Sequence, residues 1–412
     1  MKIALVSQYY APFVGGVETH IKQLAHALKQ RGHEVTVIAG SFKAKTVSPR
    51  LAPVASSLLV DSYADYDDGG VAVRSLTPRG TLDRVRMAPT LVRSTPMLQG
   101  RYYHVLQKAG YPAYRNVHLP RLLGMTNGAD LIHAFNFDYV GWAARDAAQK
   151  HGIPLVVTPF VHPHQWGDSP NDVTLYHHAD AVIGLVETDT AYLNSLGVAS
   201  ERLHTIGVSP DVTPSADAQA FRVKYDLGNK PVILYVGRMM AQKGAAAVVA
   251  SAPLVWKKQP DTQFVFIGPS SEQERKLFEQ TDPRIRYLGK VSAQEKNDAL
   301  AACDIFCMPS LSEILPTVYL EAWTYGRPVV GGLAHGLPEL IERSKGGIAS
   351  SQAPTELSAT LIRLLNDTML RQEMGQQGQS HVEAFYSVRA VTDAFESLYR
   401  SLISRGSANG KR

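Results

Sequence analysis

The sequence predicts an α/β fold of two doubly wound domains facing one another across a cleft. A strand–helix–strand unit fills the first forty residues, a second series of the same kind begins after residue 216, and a polar, proline-bearing stretch separates them. At 412 residues the chain is too long for one ordinary core, and with 45% hydrophobic and 19% charged residues it has plenty to bury.

The opening "MKIALVSQYYAPF" runs from a buried strand into polar sequence and does not read as a signal peptide. Its loop "SQYYAPFVGGVE" leads to Val17, Ile21, Leu24, Ala25 and Leu28 at helical spacing, Gly32 ends that helix, and "EVTVIAG" is the next strand. Short links of this kind imply a parallel sheet with right-handed crossovers. "YADYDDGG" reads as a hairpin turn between "LLV" and "VAVRSL". Further strands are expected at "LIHAF", "PLVVTPF" and "AVIGL". Residues 207–216, "GVSPDVTPSA", read as the hinge. Beyond it come "PVILYVG", a helix after Gly244, "QFVFIG", "IRYLG", "DIFCMPS" and "RPVVGG". In "SEILPTVYLEAWTYGRPVV", Pro316 suits the first helical position and Gly326 the stop. Val391, Phe395, Leu398 and Leu402 form an amphipathic stripe before the polar tail "SRGSANGKR".

No apolar run approaches the ~18 residues of a membrane span. Cys303 and Cys307 are the only cysteines, too few for a metal quartet or a disulfide framework, so a reducing, cytoplasmic location is expected. The net charge of +5 is unevenly spread: residues 79–121 hold eight Lys/Arg and one acid, Asp83, among Tyr102, Tyr103, Tyr111 and Tyr114. Such a segment suits an anionic partner, a membrane surface included, and also fits a solvated surface stretch. Pro89, Pro96 and Pro112 predict short helices joined by turns there.

The first glycine loop lacks G-x-G-x-x-G, since Gly15 and Gly16 are adjacent, and this weighs against a dinucleotide oxidoreductase. In "VGRMMAQKG", Arg238 and Lys243 stand between a strand and a helix start, where two cations can grip a diphosphate and hold its charge as it leaves. Glu313 and Glu321 flank another helix start, which fits carboxylates that bind sugar and ribose hydroxyls, or a loop acid and a helix-surface acid. Asp65, Tyr66, Asp67 spell D-x-D, but the hairpin explains them better than a metal does.

Across nearly its whole length the chain resembles glycosyltransferase family 4, retaining enzymes of the GT-B fold with two Rossmann-like domains. The resemblance lies in "PFVGGVETHIKQLAHALKQRGHEVTV", "VGRMMAQKG", "CDIFCMPSLSEILPTVYLEAWTYGRPVVG" and the terminal helix. It implies an acceptor domain over 1–208, completed by a helix at about 385–404 that crosses back to it, a donor domain over 217–384, and a tail from 405 to 412. By the same resemblance Arg238 and Lys243 match the diphosphate grip, Glu321 the ribose carboxylate, and Glu313 the carboxylate facing the transferred sugar. Backbone amides near Leu315 and Thr317 match those that cradle the sugar, and Gly16 the loop closing over the phosphates. His162 aligns best with the histidine near the reacting carbon and His164 second; His133 is a further acceptor-side candidate. Ile314, Leu315, Pro316 replace a frequent Gly-Phe-Gly, and "GGLAHGLPELIERSKGG" lacks the commoner polar-Val-Gly-Gly run.

The activity implied is transfer of a sugar from a nucleoside diphosphate sugar to an acceptor glycan, lipid-linked sugar or small molecule. Retention by front-face attack is implied, with no metal, no cofactor and no nucleic acid. Peripheral contact of residues 79–121 with the inner face of an anionic membrane is a further expectation. A nucleotide-sugar 2-epimerase and a non-catalytic nucleotide-binding subunit share the architecture. The first needs no basic acceptor-side segment, and the intact Arg/Lys/Glu/Glu set weighs against the second.

Overall fold

The structure, a computed structural model, describes residues 1–13, 15–41, 63–94, 103–135, 138–279 and 281–408. It divides into two compact units, Met1–Ile206 with Val391–Arg412, and Gly207–Ala390.

The first unit contains strands β1 (Lys2–Tyr9), β2 (Glu34–Ser41), β3 (Tyr66–Asp68), β4 (Val71–Ser75), β5 (Leu131–Ala134), β6 (Leu155–Val157), β7 (Ala181–Gly184) and β8 (Leu203–Thr205). Their order is β3-β4-β2-β1-β5-β6-β7-β8, parallel except for β3 against β4. The helices are α1 (Gly16–Gln30), α2 (Gly80–Arg86), α3 (Tyr103–Met125), α4 (Asp138–His151), α5 (Pro170–His177) and α6 (Glu187–Ser195). The second unit has β9 (Val232–Val236), β10 (Gln263–Ile267), β11 (Ile285–Gly289), β12 (Ile305–Met308), β13 (Val329–Gly331) and β14 (Gly347–Ala349). These run parallel in the order β11-β10-β9-β12-β13-β14. Around them lie α7 (Ala218–Lys224), α8 (Ala245–Trp256), α9 (Glu272–Arg275), α10 (Ala293–Ala302), α11 (Thr317–Thr324), α12 (Leu337–Ser344), α13 (Pro354–Asn366) and α14 (Thr368–Phe385). The final helix, α15 (Val388–Ala408), passes from this unit into the first.

Strands such as β1, β5, β9 and β12 read as continuous apolar runs because helices cover both faces of a parallel sheet. The apolar stripe of α15 fills one such face: Val391, Phe395, Leu398 and Leu402 are buried with Leu24, Leu28, Val37 and Phe135. Arg31 on α1 pairs with Asp393 and Glu396 at the rim. The opposite face is packed by α3 and α4 through Tyr114, Leu122, Tyr139 and Trp142.

Three local expectations are corrected. α3 continues through Pro112 and Pro120. Both prolines are exposed, where water can take the carbonyls they free, while Tyr114, Val117 and Leu122 hold the opposite side of the helix in the core. Tyr114 is accordingly buried, and Tyr111 is half-buried against the same core, donating to Asp146 Oδ2 at 2.8 Å. Pro316 is the cap of α11 and precedes its first turn. Pro96, Arg101, Tyr102 and the "LLV" strand lie outside the described residues.

Candidate active site

Strand order reverses between β9 and β12 in the second unit, and between β1 and β5 in the first. Loops leaving the carboxyl ends of strands at such a reversal diverge to opposite faces of the sheet and leave a crevice for a ligand. The β9 loop passes Arg238, makes a 3₁₀ turn at Ala241–Lys243 and enters α8 at Gly244. Gly244 has φ +87°, and a Cβ there would lie 2.8 Å from Pro309 Cγ, so only glycine lets this loop lie against the one after β12.

That approach brings Lys243 to Glu313. Lys243 Nζ donates to Glu313 Oε1 at 2.5 Å and to the Ser312 carbonyl at 2.8 Å. Burial pushes the Glu313 carboxyl above its ordinary range, against the opposing pull of Lys243, Ser310 and the field of Arg238. Arg238 itself is exposed. Leu315 is buried just ahead of α11 and Thr317 is its first residue. The helix opens with no side-chain cap and no acid in its first turn, so its leading amides and positive dipole end are directed at whatever occupies the loop.

Glu321, on the second turn of α11, is only 4% exposed. Its Oε2 accepts from Lys296 Nζ of α10 at 2.7 Å, and the same ammonium donates to the Asp211 carbonyl at 3.1 Å. Burial again raises the carboxyl, and Lys296 is the main opposing influence. Each glutamate thus has its own lysine. Sequence reasoning found Lys243, which is adjacent to a glycine turn, and missed Lys296, whose partner only the packing of α10 on α11 supplies.

In the first unit Gly16 is the first residue of α1, and a Cβ added there meets nothing within 4 Å, so the space above it is open. At Gly15 a Cβ would fall 2.3 Å from Glu18 Oε2, because that carboxylate folds back over the helix start. After β6 the chain forms a tight loop in which His162 and Trp166 exchange backbone hydrogen bonds at 3.0 and 3.1 Å. Their rings lie 3.9 Å apart, with Trp166 46% exposed. The loop is pinned from below by Tyr176 Oη on the Gly167 carbonyl, 2.6 Å, and by the His164 amide on Asp168 Oδ2, 2.6 Å. His164 is exposed and holds φ +61°. Trp166 is a second residue that sequence reasoning passed over.

His133 is different. It is fully buried, with Nδ1 paired to Tyr399 Oη at 2.6 Å and Nε2 to Thr158 Oγ1 at 2.8 Å. A side chain with both ring nitrogens occupied in the core presents nothing to an acceptor, so its expected acceptor-side place is corrected to a tie between β5 and α15. Asp65 and Asp67 serve the β3–β4 hairpin: Asp65 Oδ1 accepts from the Ser75 amide at 2.8 Å and Asp67 Oδ1 from Gly70 at 2.7 Å. Among the described residues no group of three His, Cys, Asp or Glu side chains gathers to hold a metal ion.

A family model described as a glycosyl transferase 4-like domain matches residues 15–208, and one described as glycosyl transferases group 1 matches 230–367. The chain is 30% identical over 201 residues to the GDP-mannose-dependent monoacylated alpha-(1-6)-phosphatidylinositol monomannoside mannosyltransferase of Corynebacterium glutamicum, 46% of this chain and 53% of that protein. To the alpha-D-kanosaminyltransferase of Streptomyces kanamyceticus it is 30% identical over 213 residues, 49% of this chain and 55% of that protein. The chain therefore spans about half the length of these curated relatives. Among solved structures, Anabaena HepE in complex with UDP superposes with a TM-score of 0.72 at 18% identity, over 98% of this chain and 100% of that one. With the two family models matching successive halves of a doubly wound pair, the chain belongs to the family 4 glycosyltransferases of the GT-B fold.

Proposed function

We propose that this protein is a retaining glycosyltransferase that moves a sugar from a nucleoside diphosphate sugar to an acceptor hydroxyl, without a metal ion. The observation that carries the reading is the meeting of Lys243 and Glu313 at the β9/β12 reversal, with Arg238 beside them. Arg238 and Lys243 take up the charge of the departing diphosphate, the largest demand of the reaction in a site poor in water. Glu313 engages hydroxyls of the transferred sugar, Glu321 those of the ribose, and the amides around Leu315 and Thr317 cradle the sugar. Gly16 leaves room for the phosphates, and His162 orients the sugar. The acceptor attacks from the face the diphosphate leaves; its proton passes to the leaving phosphate oxygen as the bond from the anomeric carbon to that oxygen breaks and the new C–O bond forms.

The test is a donor screen with GDP-, UDP- and ADP-sugars, reading release of nucleoside diphosphate with and without acceptor. Release that depends on acceptor and survives EDTA is expected. Epimerised donor without transfer, or full loss on chelation with recovery on Mg²⁺, overturns it.

A glycolipid acceptor is favoured by α2, which exposes Leu82 (60%) and Val85 (63%) between the exposed Arg79 and Arg86. Apolar side chains flanked by cations suit the headgroup level of an anionic leaflet, each cation contributing ~1 kcal/mol. Arg115 is held by Asp146 and Arg121 by the Ser75 and Thr77 carbonyls, so α2 carries the contact within residues 79–121. Among the described residues no helix is long and apolar enough to cross a membrane. Flotation with anionic vesicles is expected to carry the protein, and Leu82→Glu with Arg86→Glu to release it. Equal recovery from neutral and anionic vesicles at low salt points to a soluble acceptor.

A further inference from the structure

Resting on the donor-site reading above, we infer that Lys296 is a positioning residue for donor recognition: it holds Glu321 as an oriented carboxylate, and through it gives the protein its preference for a ribose that bears both hydroxyls. Lys296 reaches Glu321 from a different helix. α10 is capped by Ser292, whose Oγ accepts from the Glu295 amide at 3.1 Å, and Lys296 follows on the next position. Its Nζ is anchored twice, to Glu321 Oε2 at 2.7 Å and to the Asp211 carbonyl at 3.1 Å. The ammonium is therefore fixed in place and spends one hydrogen bond on the carboxylate. An ionised carboxylate has about four lone-pair positions; Lys296 and the Asp211 backbone amide take two, which leaves acceptors for two vicinal hydroxyls.

The charge state of Glu321 decides whether those acceptors exist. Of the charged groups whose fields reach it, Lys296 is the cation and Asp211 is an acid. Just past the end of its own helix, Tyr325 feels the Glu321 charge and points its hydroxyl at the Thr213 carbonyl. Without Lys296 the buried carboxyl keeps only the Asp211 backbone amide against burial and a like charge, and the balance moves toward the protonated acid. A protonated acid donates one hydrogen and accepts poorly, so ribose hydroxyls lose their partner.

The probes are GDP, UDP and ADP and the 2′,3′-dideoxy form of whichever binds, titrated calorimetrically against the full chain. Wild type is expected to bind the ribonucleotide roughly 10-fold or more tighter than the dideoxy form, the scale of hydrogen bonds to a charged group. Lys296→Met is expected to lose most of that ratio at pH 7, with little change for the dideoxy probe, and to regain it as pH rises and Glu321 ionises. Lys296→Arg should keep the ratio. In a Glu321→Gln background, Lys296→Met should have no further effect; that double variant carries no stranded charge and serves if Lys296→Met folds poorly. A full ribose preference in Lys296→Met at pH 7, or an equal loss for both probes, overturns the inference and leaves the donor site standing. If wild type binds none of the three nucleotides, the donor-site reading fails and the inference with it.

Discussion

Lys243 is tied to Glu313 in a pair whose side chains are 14% and 15% exposed, so its removal does two separable things. On the proposed function it takes away a cation from the leaving diphosphate, for which a loss of roughly 10²-fold in turnover is expected. It also strands a buried carboxylate, which lowers stability. Lys243→Ala should therefore be slow and thermally weakened, while Lys243→Ala with Glu313→Gln should regain melting temperature and remain slow. Recovery of turnover in the double variant would show that neither Lys243 nor Glu313 acts on the substrates. The places of Arg238, Lys243 and Glu313 were legible in the sequence because each stands beside a strand end or a helix start that turn residues mark, and that of Glu321 because it follows such a start. The partner of Lys296 and the ring contact of Trp166 were not, since both exist only in the packed structure. His133 was misread for a physical reason: the end of a central parallel strand is covered on both faces, so a polar residue there is as readily interior as functional.

Among the elements, α5 illustrates a buried acid used for structure. Ser169 caps the helix and shares a hydrogen bond of 2.6 Å with Asp172 Oδ2, while the Asp138 amide reaches Oδ1 at 3.3 Å. Burial wins over these contacts and pushes the Asp172 carboxyl up to about 6. The folded protein then binds this proton more tightly than the unfolded chain, so its contribution to stability is greatest at low pH and falls as pH rises from about 4 to about 6. Asp172→Asn should escape that fall, gaining on the order of 2 kcal/mol over wild type at pH 8 but little at pH 4 by urea denaturation. A gain of equal size at both values would contradict it. The strands were the most legible elements, because an apolar run bounded by Gly or Pro has few alternatives. The short edge strands β8 and β14 lacked that signal, and α3 outvoted its prolines through the face it buries.

At the scale of the whole molecule, acid acts on particular packed regions through the groups buried in them. Burial holds His20 down at about 4 and His118 at about 3, and lowers His133 as well, all in the first unit. Glu313 and Glu321, both raised, belong to the second, which also holds the lowered His381, while the raised Glu18 and Asp172 belong to the first. A histidine lowered on folding gives stability that is present above its unfolded pKa near 6.5 and is lost as pH falls below it; a raised carboxyl does the reverse. His20 and His133 pack against Phe135, Phe395 and Tyr399, so acidification from pH 7 to 5 is expected to speed hydrogen exchange in β5 and α15 ahead of β9 and β12. His20 lies between Phe135 and Phe395 with Nε2 unpartnered, so His20→Phe should reduce that acid response. Equal acceleration in both units, or no effect of the substitution, would contradict this.

The re-entry of α15 into the first unit also orders events during translation. Residues 1–206 leave the ribosome first, yet the groove beside His20, His133 and Phe135 is filled by Phe395 and Tyr399, which are made only after the whole second unit. At ~5–20 residues per second that interval is on the order of ten seconds or more. Throughout it the nascent first unit lacks the apolar side chains that fill this groove, while the contiguous second unit has everything it needs to close. The earlier-made half of this chain is thus the later to be completed.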